Sequence, residues 1–204
     1  MVELNLPEPS SELMNAITSS APAPLGALDQ SSNFDSLFSR VSIYQIKNPK
    51  LNNVNIAIGI YFTNEIIKTL GQQEYCKYFP GEDMVFSCLF LRNTRPGIPA
   101  SLPPHSDKKR LSGLQFPINS GGPNVRTVFY NKFESYNDLN GGDEIYDNLT
   151  VDKEYPLNDS KWYGLDTVQY HSVEHIETDR ILLSISLINI SLPELKKKYN
   201  DLII

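Results

Sequence analysis

From Phe34 onward the chain breaks into short β-rich runs: "VSIYQI", "VNIAIGIYF", "MVFSCLFL", "LSGLQFPI", "VRTVFYNKF", "TVQYHSV" and "RILLSISLINI". Runs of this length, rich in β-branched and aromatic residues, read as strands with at least one buried face. Turn residues separate them, among them Gly-Gly-Pro at 121–123 and Asn-Gly-Gly at 140–142. That punctuation predicts a sandwich or barrel of antiparallel strands. One stretch departs from it. Over residues 64–78, Ile66, Ile67, Leu70, Tyr75 and Tyr78 form an approximate helical face, with Thr63 or Asn64 placed to cap the start. Near the end, "LPELKKKY" predicts a short helical turn with Pro193 close to its beginning.

Residues 1–32 show no sustained period and are rich in Ser, Pro and Ala. Such a segment buries too little surface to offset its ordering entropy, which predicts a loose arm, with an ordered strap as the other form open to it. Residues 33–204 then make a single domain. A formal net charge of -6 excludes a general nucleic-acid binder, since affinity for phosphate backbones rests on concentrated Lys and Arg. No window approaches the roughly 18 to 20 consecutive apolar residues that span a bilayer. The N-terminus has no basic segment followed by an apolar one, so a cytoplasmic protein is expected. Cys76 and Cys88 are the only cysteines and are read as buried, reduced thiols.

The histidines carry the candidate chemistry. His105 and Asp107 lie two apart in "PPHSDKKR", so on an extended segment both side chains leave the same face, with Cα atoms ~7 Å apart. One imidazole and one carboxylate can thus grip one ion. His171, in "VQYHSV", is the expected third ligand, and two histidines with one carboxylate leave open positions on a divalent metal. His175 competes for that role, but it falls in the turn expected through "HIETD", whereas Val168 and Val173 give His171 the surroundings of a core strand. That turn would fold the strand opening at Arg180 back beside the strand of His171. The guanidinium would then point into the metal cavity, where its fork of donors suits a carboxylate.

The order "HSD", "HSV", "DRILLSIS" resembles the pattern of the Fe(II)/2-oxoglutarate-dependent oxygenases, and small bacterial and phage-type members in particular share "H-x-D-x-x-R", "Q-F-P-I-N", "T-V-F-Y" and "H-S-V". The likeness covers about residues 85–190. It implies a mainly β fold, a double-stranded β-helix (jelly roll, cupin-like) with one or two flanking helices. It also implies Fe(II) held by His105, Asp107 and His171, with 2-oxoglutarate as cosubstrate and Arg180 on its distal carboxylate. The implied reaction is hydroxylation of a small molecule with release of succinate and carbon dioxide, and the intact Asp107 argues against halogenation. Many members carry Ser two residues after the arginine. Here that position is Leu182, so Ser184, Ser186, Thr127 and Tyr130 are all open as the second carboxylate partner. Lys108, Lys109 and Arg110 either draw an anionic substrate to the mouth or form a solvated loop, with Arg110 the strongest of the three. Arg92, Arg95 and Trp162 are candidates for the entrance. Two rival functions use the same residues: a Zn or Mn hydrolase or isomerase on a cupin-like barrel, and a jelly roll that only binds.

Overall fold

The computed structural model describes residues 1–20, 42–44, 55–93, 97–107, 110–131, 136–139, 143–146 and 149–204. Most of the runs read as strands form them: β2 (Ser42–Tyr44), β3 (Asn55–Phe62), β4 (Met84–Asn93), β6 (Ser112–Asn119), β7 (Arg126–Asn131), β12 (His171–Ile176) and β13 (Arg180–Leu187). Further strands are β1 (Val2–Leu4), β5 (Ala100–His105), β8 (Tyr136–Leu139), β9 (Asp143–Tyr146), β10 (Thr150–Pro156) and β11 (Trp162–Asp166). The helices are α1 (Ser11–Ser20), α2 (Glu65–Tyr75) and α3 (Leu192–Lys198).

The fold is a jelly roll. One sheet runs β1-β11-β6-β13-β4-β3 and the other β3-β5-β12-β7-β10. They join at β3, which pairs antiparallel with β4 and parallel with β5; β2 also flanks β3, and β8 and β9 form a separate hairpin. The expected pairing of the His171 and Arg180 strands does not occur. β12 lies between β5 and β7, and β13 between β4 and β6. Each strand already has two neighbours, and the short connection steps from one sheet to the other. It is pinned as it does so, because the amides of Glu177 and Thr178 both donate to the Gly121 carbonyl at 2.9 Å. Gly121 and Gly122 have φ of 97° and 130°, so the predicted tight turn needs its glycines.

Period-two alternation in β13 divides the interior. Leu183, Ile185 and Leu187 face outward and pack with Phe86, Cys88 and Phe90 of β4 against the helices, in a cluster that includes Leu13, Ile17, Ile67 and Tyr75. Arg180, Leu182, Ser184 and Ser186 have the opposite parity and face the second sheet. Between the sheets lie two smaller apolar clusters. Leu89, Leu91, Leu102, Val173 and Leu182 gather toward the end where Arg180 enters, and Phe129, Leu157, Tyr163 and Leu165 toward the other.

α2 starts at the predicted cap, where Asn64 Oδ1 accepts from the Ile67 amide at 2.8 Å. Its buried face is Ile67, Gly71 and Tyr75, and Ile66 is exposed, contrary to the sequence reading. α3 carries Pro193 in its first turn and a reciprocal cap between Ser191 and Glu194. Residues 1–20 take the strap form. β1 pairs with β11, and Leu4, Leu6, Leu13 and Ile17 are buried. Residues 21–32 of the expected arm lie outside the described residues, as do Arg95, Lys108, Lys109 and the Asn-Gly-Gly at 140–142. Cys88 is buried but Cys76 is exposed, which corrects the expectation for that thiol. Among the described residues no helix is long and apolar enough to cross a membrane.

Candidate metal centre

His105 is the last residue of β5, Asp107 lies two residues further on, and His171 opens the neighbouring strand β12 in register with His105. Side-by-side pairing therefore brings together residues 66 apart in sequence. The rings stand 4.5 Å apart between centroids, and one ligand atom from each of His105, Asp107 and His171 falls within 4.8 Å of the others. His175 is excluded from this group. It is exposed, with φ of 60°, at an irregularity in the register of β12.

The hydrogen bonding of His171 suits a metal ligand. Its Nδ1 lies 2.9 Å from the Gln169 carbonyl, which can only accept, so Nδ1 carries the proton and Nε2 presents its lone pair. That lone pair faces Asp107 Oδ2 at 3.8 Å. Burial, reinforced by the positive charge His105 can carry, pushes the His171 pKa down to about 4, so the imidazole is neutral at physiological pH. Burial opposes the charge of Asp107, but Arg110 and the two imidazoles more than offset it and hold the carboxyl below its usual range. An unprotonated nitrogen thus faces an ionised carboxylate across a short gap. A cation between them resolves that repulsion, and the donor set of two imidazoles and one carboxylate fits a divalent ion with open positions.

Arg110 fixes Asp107. Its Nε and Nη2 both donate to Asp107 Oδ2, at 3.0 and 2.7 Å, while Nη1 reaches Ser184 Oγ and Ser186 Oγ at 3.3 and 3.2 Å. The loop closes through Thr167, whose hydroxyl donates to the Arg110 carbonyl at 3.0 Å and whose carbonyl accepts the Asp107 amide at 2.8 Å. A Cβ at Gly113 would lie 3.1 Å from Thr167 Cγ2 and 3.6 Å from Arg110 Nη1, so glycine there makes room for both.

One narrow cavity reaches His105, His171, Arg110 and Arg180, with Thr127 and Gln115 also on its wall and Leu89, Leu102, Leu165 and Val173 as its apolar lining. Its volume is about 10 Å³, room for about one water, so any larger ligand requires its side chains to yield. Arg180 is 0% exposed and donates from Nη1 to the Ser120 carbonyl at 3.2 Å. Arg180 lines the cavity even though its strand is not beside that of His171.

No protein-family model matches the chain, and no curated protein matches it in sequence. Solved structures align with it only remotely. An RmlC-like cupin protein from Desulfovibrio desulfuricans is 12% identical over 52% of this chain and 81% of its own, with a TM-score of 0.28. A variant of the oxalate decarboxylase of B. subtilis is 13% identical over 78% of this chain, with a TM-score of 0.35. E. coli ycfD is 12% identical over 97% of this chain, with a TM-score of 0.44. The match spans 30% of the decarboxylase chain and 50% of ycfD. Similarity this distant says nothing of chemistry, and the jelly roll stands on its own strand order.

The other expected site residues separate cleanly. Thr127 is 1% exposed on the cavity wall, and its Oγ1 has no hydrogen-bond partner among the described residues. Tyr130 faces the other side of its sheet, where its hydroxyl is hydrogen-bonded to Ser172 and Glu174 at 2.8 and 2.7 Å. Ser184 and Ser186 face inward but receive Arg110. Trp162 is no entrance residue: it is buried in the outer core, with its indole N–H donating to the Pro7 carbonyl at 2.8 Å. Arg92 forms a two-point ion pair with Asp179 at 3.1 and 2.7 Å. Gln115, also on the cavity wall, is the first residue of "Q-F-P-I-N" and a polar residue inside the apolar run "LSGLQFPI", but the sequence reading gives it no role of its own.

Proposed function

We propose that this chain is an Fe(II)- and 2-oxoglutarate-dependent oxygenase that hydroxylates a small molecule. The observation that carries this reading is a single cavity with two imidazoles on one sheet and a fully buried guanidinium on the other. A hydrolytic metal site needs no such cation, whereas the planar fork of a guanidinium matches a carboxylate bound in the cavity. His105, Asp107 and His171 would hold the iron. Arg180 would take the distal carboxylate of 2-oxoglutarate, and the Thr127 hydroxyl, buried without a partner among the described residues, is placed to donate to it as well. That choice favours Thr127 over Ser184, Ser186 and Tyr130, whose hydroxyls are engaged elsewhere.

Bound iron and 2-oxoglutarate supply the oxidising chemistry, in which dioxygen and the diacid yield succinate, carbon dioxide and a hydroxylated substrate. The chain supplies order and dryness. Arg110 and Thr167 keep Asp107 ionised and oriented, the Gln169 carbonyl fixes the His171 tautomer, and the leucines and valine exclude water from the reacting centre.

Anaerobic addition of Fe(II) and then 2-oxoglutarate is expected to raise a weak visible charge-transfer band. His171→Ala should abolish it, and Arg180→Ala should weaken 2-oxoglutarate binding while metal affinity changes little. A spectrum indifferent to 2-oxoglutarate would leave the Zn or Mn hydrolase as the better reading. A band lost in His175→Ala but kept in His171→Ala would overturn the ligand assignment.

A further inference from the structure

Eight large apolar side chains are exposed among the described residues, and four of them, each between 39% and 53% exposed, stand one step from the groups that hold Asp107. Leu111 follows Arg110 in sequence, and Val168 follows Thr167, whose carbonyl accepts the Asp107 amide. Val85 pairs across the sheet with Ser186, whose hydroxyl receives Arg110 Nη1. Ile188 is two residues, or ~7 Å, beyond Ser186 along the chain. Backbone bonds gather these positions at one end of the first sheet: the Leu111 amide donates to the Leu187 carbonyl at 3.0 Å, and the Ile188 amide to the Asp83 carbonyl at 3.1 Å.

Single exposed apolar residues need no explanation, but four of them around one functional centre mark a binding surface. Their exposure follows from an offset between the sheets. β5 ends at His105 and β12 begins at His171, so these two strands stop at the metal centre. Ser184 and Ser186 of β13 are level with the Arg110 guanidinium, and Val85 and Ile188 lie at that level or beyond it. The cavity itself is only about 10 Å³, and the diacid claims whatever room its side chains can yield. A substrate is left with the rim. None of the four rim residues is aromatic or charged, which suits a flexible aliphatic chain rather than a planar ring that needs a stacking partner.

We propose that this rim is the substrate platform of the metal centre, and that the substrate carries a flexible alkyl chain lying along Val85, Leu111, Val168 and Ile188. Contact there removes apolar area from water on both partners, and it lays the chain beside the ion with a C–H bond offered to it. This inference deepens the oxygenase reading and rests on it for the claim that the bound molecule is the substrate. The apolar contact itself needs no iron.

The test is methyl NMR of the full chain loaded with 2-oxoglutarate and Zn(II), a diamagnetic substitute for Fe(II). The probes are straight-chain primary alcohols from 1-propanol to 1-octanol, with glycerol as the polar control. Affinity should rise about two- to fourfold with each added methylene, as expected for a CH₂ group partly or fully removed from water. The largest shifts should fall on the methyl groups of Val85, Leu111, Val168 and Ile188. Mn(II) in place of Zn(II) should broaden the methylene resonances of the bound alcohol, because the chain lies beside the ion. Ile188→Asn combined with Val168→Thr should flatten the dependence on chain length, and with both positions exposed the Tm should stay unchanged. Equal affinity along the series, glycerol binding as tightly as 1-octanol, shifts centred on Ile66 or Val151, or probe resonances that bound Mn(II) leaves sharp would each overturn the proposal. So would a dimer in sedimentation, or adsorption to phosphatidylcholine vesicles, that Ile188→Asn abolishes: the first would assign the rim to a second copy of the chain, the second to a lipid surface. Absence of the charge-transfer band in the wild-type protein would instead defeat the oxygenase reading.

Discussion

His171 illustrates how much of a site depends on surroundings that no motif encodes. An ordinary imidazole gains a proton near pH 6.5, but burial and the neighbouring His105 hold this one to about 4. Between those values an unfolded chain binds a proton at this position that the folded chain refuses, so acidification destabilises the metal-free fold. The effect is on the order of 3 kcal/mol at most, present as loss below about pH 6 and complete by about pH 4. Asp107, depressed below its usual range, adds to the loss in more acid solution. Imidazole NMR of the metal-free protein should show His171 neutral at pH 5; a midpoint near 6.5 would contradict the burial argument. The candidate ligands were legible in the sequence because metal binding demands particular residue types, and His-x-Asp with two later histidines is a short menu. Thr127 and Gln115 were not singled out in the same way. What sets Thr127 apart is a buried hydroxyl with no partner among the described residues, and a missing contact leaves no mark on a sequence.

At the scale of elements, propensity served where a local rule suffices. Asn64 caps α2, and the alternation of β13 sets the inward parity of Ser184 and Ser186. It failed where neighbours decide. β5 contains two prolines in "ASLPPH", which argues against a strand, yet it is held by β12 on one side and a short parallel pairing with β3 on the other. β10 is exposed along nearly its whole length and has no apolar face to announce it. α1 shows only Leu13 and Ile17 fully buried, too few positions to establish a period. Its partner α2 depends on one close approach: a Cβ at Gly71 would collide with the ring of Phe86 in β4. Gly71→Ala, which elsewhere in a helix would be favourable, should here cost about 1 to 3 kcal/mol. Thermal denaturation should register this as a lowered Tm, and an unchanged or raised Tm would show that the helix can slide to make room.

Across the whole molecule, the N-terminal strap closes the outer face of one sheet. Pro7 is its anchor, with its carbonyl receiving both the Trp162 indole at 2.8 Å and the Tyr75 hydroxyl at 3.1 Å. Trp162→Phe removes one of these donors and should cost about 1 kcal/mol, with amide exchange in residues 2–17 accelerating more than in β13. Uniform acceleration would mean that the strap is not a separate unit.

The three candidate ligands belong to one sheet, through β5 and β12, while Arg180 and Gln115 belong to the other. The two halves meet covalently and by pairing at β3. On the oxygenase reading, prying the layers apart would leave the two histidine ligands paired on one sheet while carrying the Arg180 guanidinium away with the other. Mild urea should accordingly erase the 2-oxoglutarate-dependent colour before it strips the metal.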